Sequence, residues 1–398
     1  MPYIIGFCML FYRHLFILLI TIFTLVSCSL SKPLPEPQGE PLRKIIDNEH
    51  FDNLYIGATT GFKDWDTPVD QILNREFSYI SPNNDFKQSR IHPTFGVWNW
   101  DVSDEWVARA KQNNQVIRLH GPISPQSSKW VLRDNRTPAE LEKMLVEFMT
   151  AISQRYNDDE HVVWIDVVNE TITEEGTWFG PKPGVKNWEN PWPKMGFETD
   201  IPEQFPLLQE QGVPLYIIKA FEVAQQHGPN KKLVLNQHRM TTPESIALVK
   251  ELVLYLKYRG LRVDALGWQA HIKKEFADFA NPNSKALQTL DGLIKWAHSQ
   301  DIEFHVTEKN IHQPKNKVYS EQDIADVYTN ILQTLLQNRK TGIVAWNLWN
   351  VVDDPDFSKR SISRNTKRLG LWNVDLEPNM AYENIRKLLL DDARANQP

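Results

Sequence analysis

The chain has 398 residues, 41% hydrophobic and 24% charged, with a formal net charge of −6. That is ordinary globular composition, with length enough for a large core. Lys and Arg number 44 against 50 Asp and Glu, so there is no basic excess and nothing to suggest a nucleic-acid partner.

The first element is a targeting segment. Arg13 and His14 precede the apolar run Leu15 to Val26, which is short for a transmembrane helix and fits a signal-peptide core. Its end, Leu25-Val26-Ser27-Cys28, resembles the bacterial lipobox, whose cysteine is lipidated and becomes the first mature residue. The expectation is a signal peptide over 1–28 with lipidation at Cys28. The exported lipoprotein would then be held at the outer membrane or cell surface by its lipid alone. The alternatives are an uncleaved anchor, or a plain secretory signal cut near Ser27 or Cys28 that leaves a periplasmic or secreted protein. A start at Met9 would give a more ordinary signal length. Cys8 and Cys28 are the two cysteines, so the mature domain has no disulfide.

Residues 29–47 are rich in Pro, Ser and charge and read as a tether. From residue 48 to 398 the chain alternates apolar β-rich runs with helical patterns. Strands are expected at Leu54 to Thr59, Phe77 to Ser81, Val116 to His120 and Val162 to Val168. Four more are expected at Lys232 to Asn236, Ala265 to Ala270, Ile302 to Thr307 and Gly342 to Leu348. The intervening helices are Val69 to Asn74, Asp104 to Asn113 after Ser103, and Pro138 to Tyr156 after Thr137. They continue with Val213 to His227, Pro243 to Tyr258 after Thr242, Lys285 to Ser299, Glu321 to Asn338 and Met380 to Ala393. Eight strands alternating with helices predict α/β architecture, a single (β/α)8 TIM barrel. A doubly wound open sheet is the alternative, but no glycine-rich phosphate loop follows the first strand.

The longest irregular stretch, Thr171 to Phe205, carries Trp178, Trp188 and Trp192 among Gly and Pro. A loop of that length inside a domain is usually functional, and it is expected to wall a substrate cleft. The chain holds 14 Trp, many beside Asn, Asp, Pro or Gly. Their faces suit sugar rings, although for any single Trp a core role is the commoner one.

Two apolar strands each end in a glutamate: His161 to Glu170 reads HVVWIDVVNE and Ile302 to Glu308 reads IEFHVTE. A carboxylate there costs desolvation energy and adds little to a core, and C-terminal strand ends are where barrel enzymes do chemistry. Glu170 and Glu308 are therefore the candidate catalytic pair. Around them the other strand ends supply Asn84, Lys87, His120, Asn236, Gln269, His271, Trp346 and Trp349. Amides, lysine and tryptophan in that ring suit a carbohydrate.

These residues carry a resemblance. Trp164-Ile165-Asp166-Val167-Val168-Asn169-Glu170 resembles the acid/base signature W-D-V-V-N-E of glycoside hydrolase family 10, the β-1,4-xylanases. Val306-Thr307-Glu308 is similar to its nucleophile strand I-T-E-L-D, and Gln269-Ala270-His271 to its Q-x-H strand. Residues 81–87, SPNNDFK, are similar to its T-P-E-N-x-M-K, and residues 378–382, PNMAY, to its closing P-K-P-A-Y. The likeness runs in order over roughly residues 50 to 390. It implies retaining hydrolysis of β-1,4-xylosidic bonds in xylan or xylo-oligosaccharides by two carboxylates about 5–5.5 Å apart. Glu170 would be the acid/base and Glu308 the nucleophile. Asn169 would bind the sugar 2-hydroxyl and His271 would sit against Glu308. Asn84, Lys87, Gln269 and His120 would bind sugar, and Trp346 would floor the glycone. No cofactor and no catalytic metal are implied, and the enzyme is expected to be a monomer.

The chain departs from the family pattern at three places. Leu119 to Pro125 stands for G-H-T-L-V-W-H, so Ser124-Pro125 replaces Trp-His. Asp353-Asp354 stands where a second Trp is expected after the last strand, and Lys309-Asn310 replaces Leu-Asp. These changes keep two other readings open. One is a retaining hydrolase of a different β-linked polysaccharide; the other is a non-catalytic glycan-binding surface lipoprotein. Lys309 would either pair with Glu308, lowering its pKa, or point to solvent. Arg118 is expected in an ion pair inside the barrel. His305 is expected to share a face with Thr307, not Glu308. His238 and His312 do not fall in a metal-binding motif.

Overall fold

Eight parallel strands close on themselves. They are β1 (Leu54–Ala58), β2 (Tyr79–Ile80), β3 (Val116–Leu119), β4 (Val162–Asn169), β5 (Lys232–Gln237), β6 (Ala265–Trp268), β7 (Glu303–Pro314) and β8 (Val344–Leu348). Each pairs with the next, and β8 returns to β1 with Leu54 opposite Val344. The structure, a computed structural model, describes residues 39–49, 51–133, 136–180, 190–355 and 365–395. The expected signal segment, Cys28 and Trp188 lie outside the described residues. Among the described residues no helix is long and apolar enough to cross a membrane.

The principal helices are α1 (Leu42–Asn48), α2 (Pro68–Glu76), α3 (Asp101–Gln112), α4 (Pro138–Tyr156), α5 (Leu215–His227), α6 (Pro243–Tyr258), α7 (Lys285–Ser299), α8 (Glu321–Asn338) and α9 (Met380–Ala395). Their starts follow local chemistry. Thr137 and Thr242 each form a capping box followed by Pro in the first turn, satisfying amides that the helix itself leaves unpaired. Two starts differ from expectation by more than one residue. α3 begins three residues early, because Ser103 lies within its first turn and bonds back to the Trp100 carbonyl. α5 begins after Pro214, since Val213–Pro214 pairs as a short strand with Phe197–Glu198 and a residue before proline favours extended backbone.

The last residues of the expected tether are folded. Leu42, Ile45 and Ile46 are buried, and the Leu42 amide donates to Glu76 Oε2 at 2.9 Å. Tyr382 on α9 donates to the same oxygen at 3.0 Å. Glu76, with no exposed surface, thus joins α1, α2 and α9 through one carboxylate.

The barrel interior is filled from the N-terminal end of its strands. Trp164 packs edge-on against Tyr55 and His305 and tilts over Tyr79. Its Nε1 donates to Glu303 Oε2 at 2.8 Å, and Glu303 also accepts from His305 and Lys232. Above this layer Arg118 donates to Asp166 through Nε at 2.7 Å and through Nη2, and lies 3.4 Å from the Tyr79 hydroxyl. Both the Arg118 pair and the interior His305 match expectation. Gly267 on β6 makes the middle layer fit: a Cβ there would lie 2.6 Å from Asn236 Oδ1 and 3.0 Å from Arg118 Nη2.

Candidate active site

Two strand irregularities aim the site. The register slips between Asp166 and Val168 where β4 meets β5, and between Val306 and Lys309 where β7 meets β8. Regular strands send neighbouring side chains to opposite faces, and a bulge resets that alternation. On β7 the result is that adjacent residues reach one partner. Thr307 Oγ1 donates to Asn236 Oδ1 at 2.8 Å, while Asn236 Nδ2 donates to Glu308 Oε1 at 3.0 Å. Thr307 and Glu308 therefore both face inward, against the expected alternation. β7 also runs well past its expected end at Thr307, because residues Ile311–Pro314 pair with Thr366–Leu369 and Asn310 pairs with His271.

Glu308 is 3% exposed. Burial alone would raise its pKa, but His120 nearby, the His271 hydrogen bond and Lys87 outweigh it and hold the carboxyl at about 2. His271 Nε2 lies 3.2 Å from Oε2, and His120 Nδ1 lies 3.7 Å from Oε1 and 2.9 Å from Asp166 Oδ2. Glu308 is thus an ionised carboxylate with both oxygens engaged.

Glu170 differs in every respect. It ends β4 in a left-handed conformation at φ 59°, a strained position for a residue with a side chain. Gln237 pins the chain just beyond it, accepting from the amides of Thr171 and Ile172 at 3.0 and 3.2 Å. The carboxyl is half-buried and takes one hydrogen bond, from Gln269 Nε2 at 3.1 Å. Gln269 donates also to Asn169 Oδ1 at 3.2 Å, which accepts from Asn236 Nδ2 at 2.7 Å. A run of three amides, Gln269, Asn169 and Asn236, therefore joins Glu170 to Glu308. Asn169 Oδ1 accepts both of these bonds, and among the described residues its Nδ2 donates to no partner. Lys87 closes this side. It is buried, donates to Gln126 Oε1 at 2.5 Å and packs under Gly121, whose Cβ would meet Lys87 Cε at 3.0 Å.

The sequence profile of glycosyl hydrolase family 10 matches residues 45–388. The chain belongs to glycosyl hydrolase family 10. It is a glycoside hydrolase, 25% identical over 359 residues to endo-1,4-beta-xylanase A of Humicola insolens, covering 86% of this chain and 85% of that one. Against endo-1,4-beta-xylanase B of Thermotoga neapolitana the identity is 23% over 360 residues, with 88% and 92% covered. Xylanase 10B of Thermotoga petrophila RKU-1, solved in complex with xylobiose, shares the fold. Its TM-score is 0.72 at 20% identity, covering 90% of this chain and 100% of that chain.

Measured against the family 10 pattern, most expected site residues converge: Glu170, Glu308, Asn169, Gln269, His271, His120 and Lys87 lie in one hydrogen-bonded or electrostatic group. Asn84 lies in the same loop as Lys87, half-buried, with its carbonyl accepting from the Lys87 amide; no side-chain contact joins it to either glutamate among the described residues. Trp346 is a correction. It has no exposed surface and packs edge-on to Tyr328 of α8, since alternation along β8 sends Asn347 inward and Trp346 outward. Trp349, half-buried beyond the strand end, has its ring centroid 5.1 Å from His120 and 5.9 Å from His271. It is the tryptophan at the site.

The departures from the family also resolve. Ser124 and Pro125 are buried and serve the turn: the Ser124 carbonyl accepts from Trp192 Nε1 at 3.2 Å and Ser127 Oγ at 2.9 Å. Trp192 comes from the expected cleft wall, and its bond docks that loop onto the turn after β3. Asp354 holds Arg368 through two oxygens at 2.8 and 2.9 Å, and Asp353 accepts from the Gly370 amide at 2.8 Å. Both aspartates anchor the loop after β8 and leave the substrate side. Lys309 neither pairs with Glu308 nor reaches solvent. Its side chain is buried with Nζ 4.3 Å from the centre of the Tyr328 ring, and burial drives its pKa well down. Among the described residues no group of three His, Cys, Asp or Glu could hold a metal.

In the sequence Asn236 stands in the ring of strand-end polar residues with no role of its own, and neither Asp166 nor Gln126 is marked as a site residue. Asn236 was visible as a polar residue ending an apolar strand. Asp166 lay inside the β4 signature, masked by the glutamate that ends it.

Proposed function

We propose that the protein is a retaining hydrolase of β-1,4-xylosidic linkages, acting on xylan or xylo-oligosaccharides by double displacement. The observation that carries this reading is the contrast between two linked carboxylates. Glu308 is buried and held ionised, as a nucleophile requires; Glu170 is half-exposed at a strand end with one donor to its oxygen. Their roles follow from charge flow. Glu308 attacks the anomeric carbon while Glu170 protonates the departing glycosidic oxygen, giving a glycosyl-enzyme ester. Water then attacks that carbon, Glu170 takes its proton, and Glu308 leaves as carboxylate.

The surrounding groups fit a sugar. The free Nδ2 hydrogens of Asn169 suit the 2-hydroxyl, a contact that strengthens as positive charge grows on the ring. Lys87, Asn84 and Gln269 offer donors on the glycone side, His120 abuts the nucleophile, and Trp349 offers an apolar face. The endo-1,4-beta-xylanase names of the relatives support xylan as the substrate. The replacement of Trp-His by Ser124-Pro125 favours a second reading, the same chemistry on another β-linked polysaccharide. We further infer a monomer tethered by lipid at Cys28; Cys28→Ser should move the protein from the membrane fraction to the soluble fraction.

Hydrolysis of xylan and a panel of other β-glycans, beside Glu170→Ala and Glu308→Ala, tests the proposal. Xylo-oligosaccharide release lost in both variants supports it. Mutant-sensitive activity confined to another glycan supports the second reading. Glycan binding that survives both substitutions, without hydrolysis, would leave a binding lipoprotein and sink the catalytic proposal.

A further inference from the structure

His271 stands between two partners, Glu308 Oε2 at 3.2 Å from Nε2 and Asn310 Oδ1 at 2.9 Å from Nδ1. Which ring nitrogen carries the proton is decided by a line of amides beginning at the Val352 carbonyl, which can only accept. Asn350 Nδ2 donates to that carbonyl at 2.9 Å, so Asn350 turns its Oδ1 toward Asn310. Asn310 Nδ2 donates to that oxygen at 3.1 Å, so Asn310 turns its own Oδ1 toward His271. An acceptor oxygen at 2.9 Å from Nδ1 needs a proton there. A neutral His271 would then aim the Nε2 lone pair at the Glu308 carboxylate, two acceptors face to face. The Nε2–H···Oε2 bond exists only while the ring carries both protons.

We propose that Asn310 and Asn350 are positioning residues for the nucleophile, fixing His271 as the Nδ1–H form so that only the imidazolium can bond Glu308. The backbone makes this arrangement stiff. Glu308 and Asn310 are two apart on β7 and share a face, and Asn310 pairs with His271 across the sheet. Asn310 has no exposed surface, so no water competes for its amide. The family pattern places an aspartate at this position. An amide supplies the same geometry without a second negative charge, so Glu308 is the carboxylate in hydrogen-bond contact with the ring. Among the described residues, His238 after β5 and His312 on β7 also interact with the ring, and burial lowers the pKa of both. His120 and Lys87 face Glu308 from β3 and the loop after β2.

The kinetic half of this proposal rests on Glu308 being the nucleophile; the tautomer does not. The test is histidine ¹⁵N NMR across pH on the full chain, with Asn310→Asp and Asn350→Ala alongside. Wild type should show His271 losing its second proton from Nε2, leaving Nδ1–H. Asn310→Asp should hold both protons to a pH about one unit higher, by adding a charge beside the ring. Asn350→Ala should yield a mixture of neutral tautomers. On an aryl xylobioside, the ratio of kcat at pH 8 to kcat at pH 6 should rise several-fold in Asn310→Asp with KM unchanged. A neutral wild-type ring protonated at Nε2, or a kcat ratio unmoved in Asn310→Asp, would overturn the proposal. Were wild type to cleave no xylobioside, the spectra would still decide the tautomer and only the functional reading would fall.

Discussion

Asn236 Nδ2 donates at 3.0 Å to Glu308 Oε1 and at 2.7 Å to Asn169 Oδ1, so one amide group serves Glu308 and the residue beside Glu170. A hydrogen bond to a charged oxygen is worth about 1.5–3 kcal/mol. Asn236→Ala is therefore expected to lower kcat/KM by about 10- to 150-fold while leaving thermal unfolding cooperative. Steady-state kinetics on an aryl xylobioside, paired with a melting curve, checks both parts.

The depressed carboxyl of Glu308 makes stability depend on acid. Its folded value of about 2 lies below the ordinary 4.5, so its contribution is complete above pH 5 and is lost as pH falls toward 2. By that shift the loss is on the order of a few kcal/mol. Urea unfolding at pH 7, 5 and 3 should show wild type losing more stability than Glu308→Gln over that range. Parallel losses in the two proteins would contradict the assignment.

Lys309 predicts a trend of the same sign in a higher pH window, because its folded pKa is also lowered. Its pKa is lowered by burial, so the unfolded chain binds a proton that the folded chain resists, and the penalty is greatest at low pH. Lys309→Met keeps the apolar stem and removes the charge. It should raise the melting temperature by a few degrees at pH 7, a gain on the order of 1–3 kcal/mol. The gain should fade toward pH 10, where unfolded lysine also loses its proton. A lower melting point in the variant would show that the ammonium stabilises the fold through the Tyr328 ring.

The two tryptophans of the last strand should separate stability from activity. Trp346→Ala removes a fully buried ring and should cost about 3–5 kcal/mol. Trp349→Ala should leave the melting temperature within a few degrees and weaken substrate use through KM. Denaturation and kinetics on the same preparations decide it.

The barrel was readable from sequence because its signals are local and repeated. Thr137 and Thr242, each followed by Pro, announced two helices whose bounds match to the residue. Short apolar or aromatic runs announced all eight barrel strands. The two glutamates were readable because a charge at the end of such a run has no core role. What escaped was anything that depends on where a side chain points after a register slip. Trp346 and Trp349 look alike in a string; three positions on a strand that ends between them give one to the helix layer and the other to the cleft. Thr307 and Glu308 look opposed until the bulge turns both inward. Asn236 was already in the ring of strand-end amides, but its bridge from Glu308 to Asn169 is seen only with β5 laid beside β4, a contact between residues 67 apart.

The extension of β7 beyond the barrel mouth has a further consequence. Barrel enzymes draw their reacting groups from strand ends, where the chain is about to leave the sheet. Here Glu308 sits mid-strand, with parallel partners before it and an antiparallel partner after it, whereas Glu170 is the residue at which its strand ends. One carboxylate is clamped on both sides and the other is hinged at one. Under the proposed double displacement the stiff one would attack a single fixed atom, while the hinged one would follow first a departing oxygen and then an arriving water.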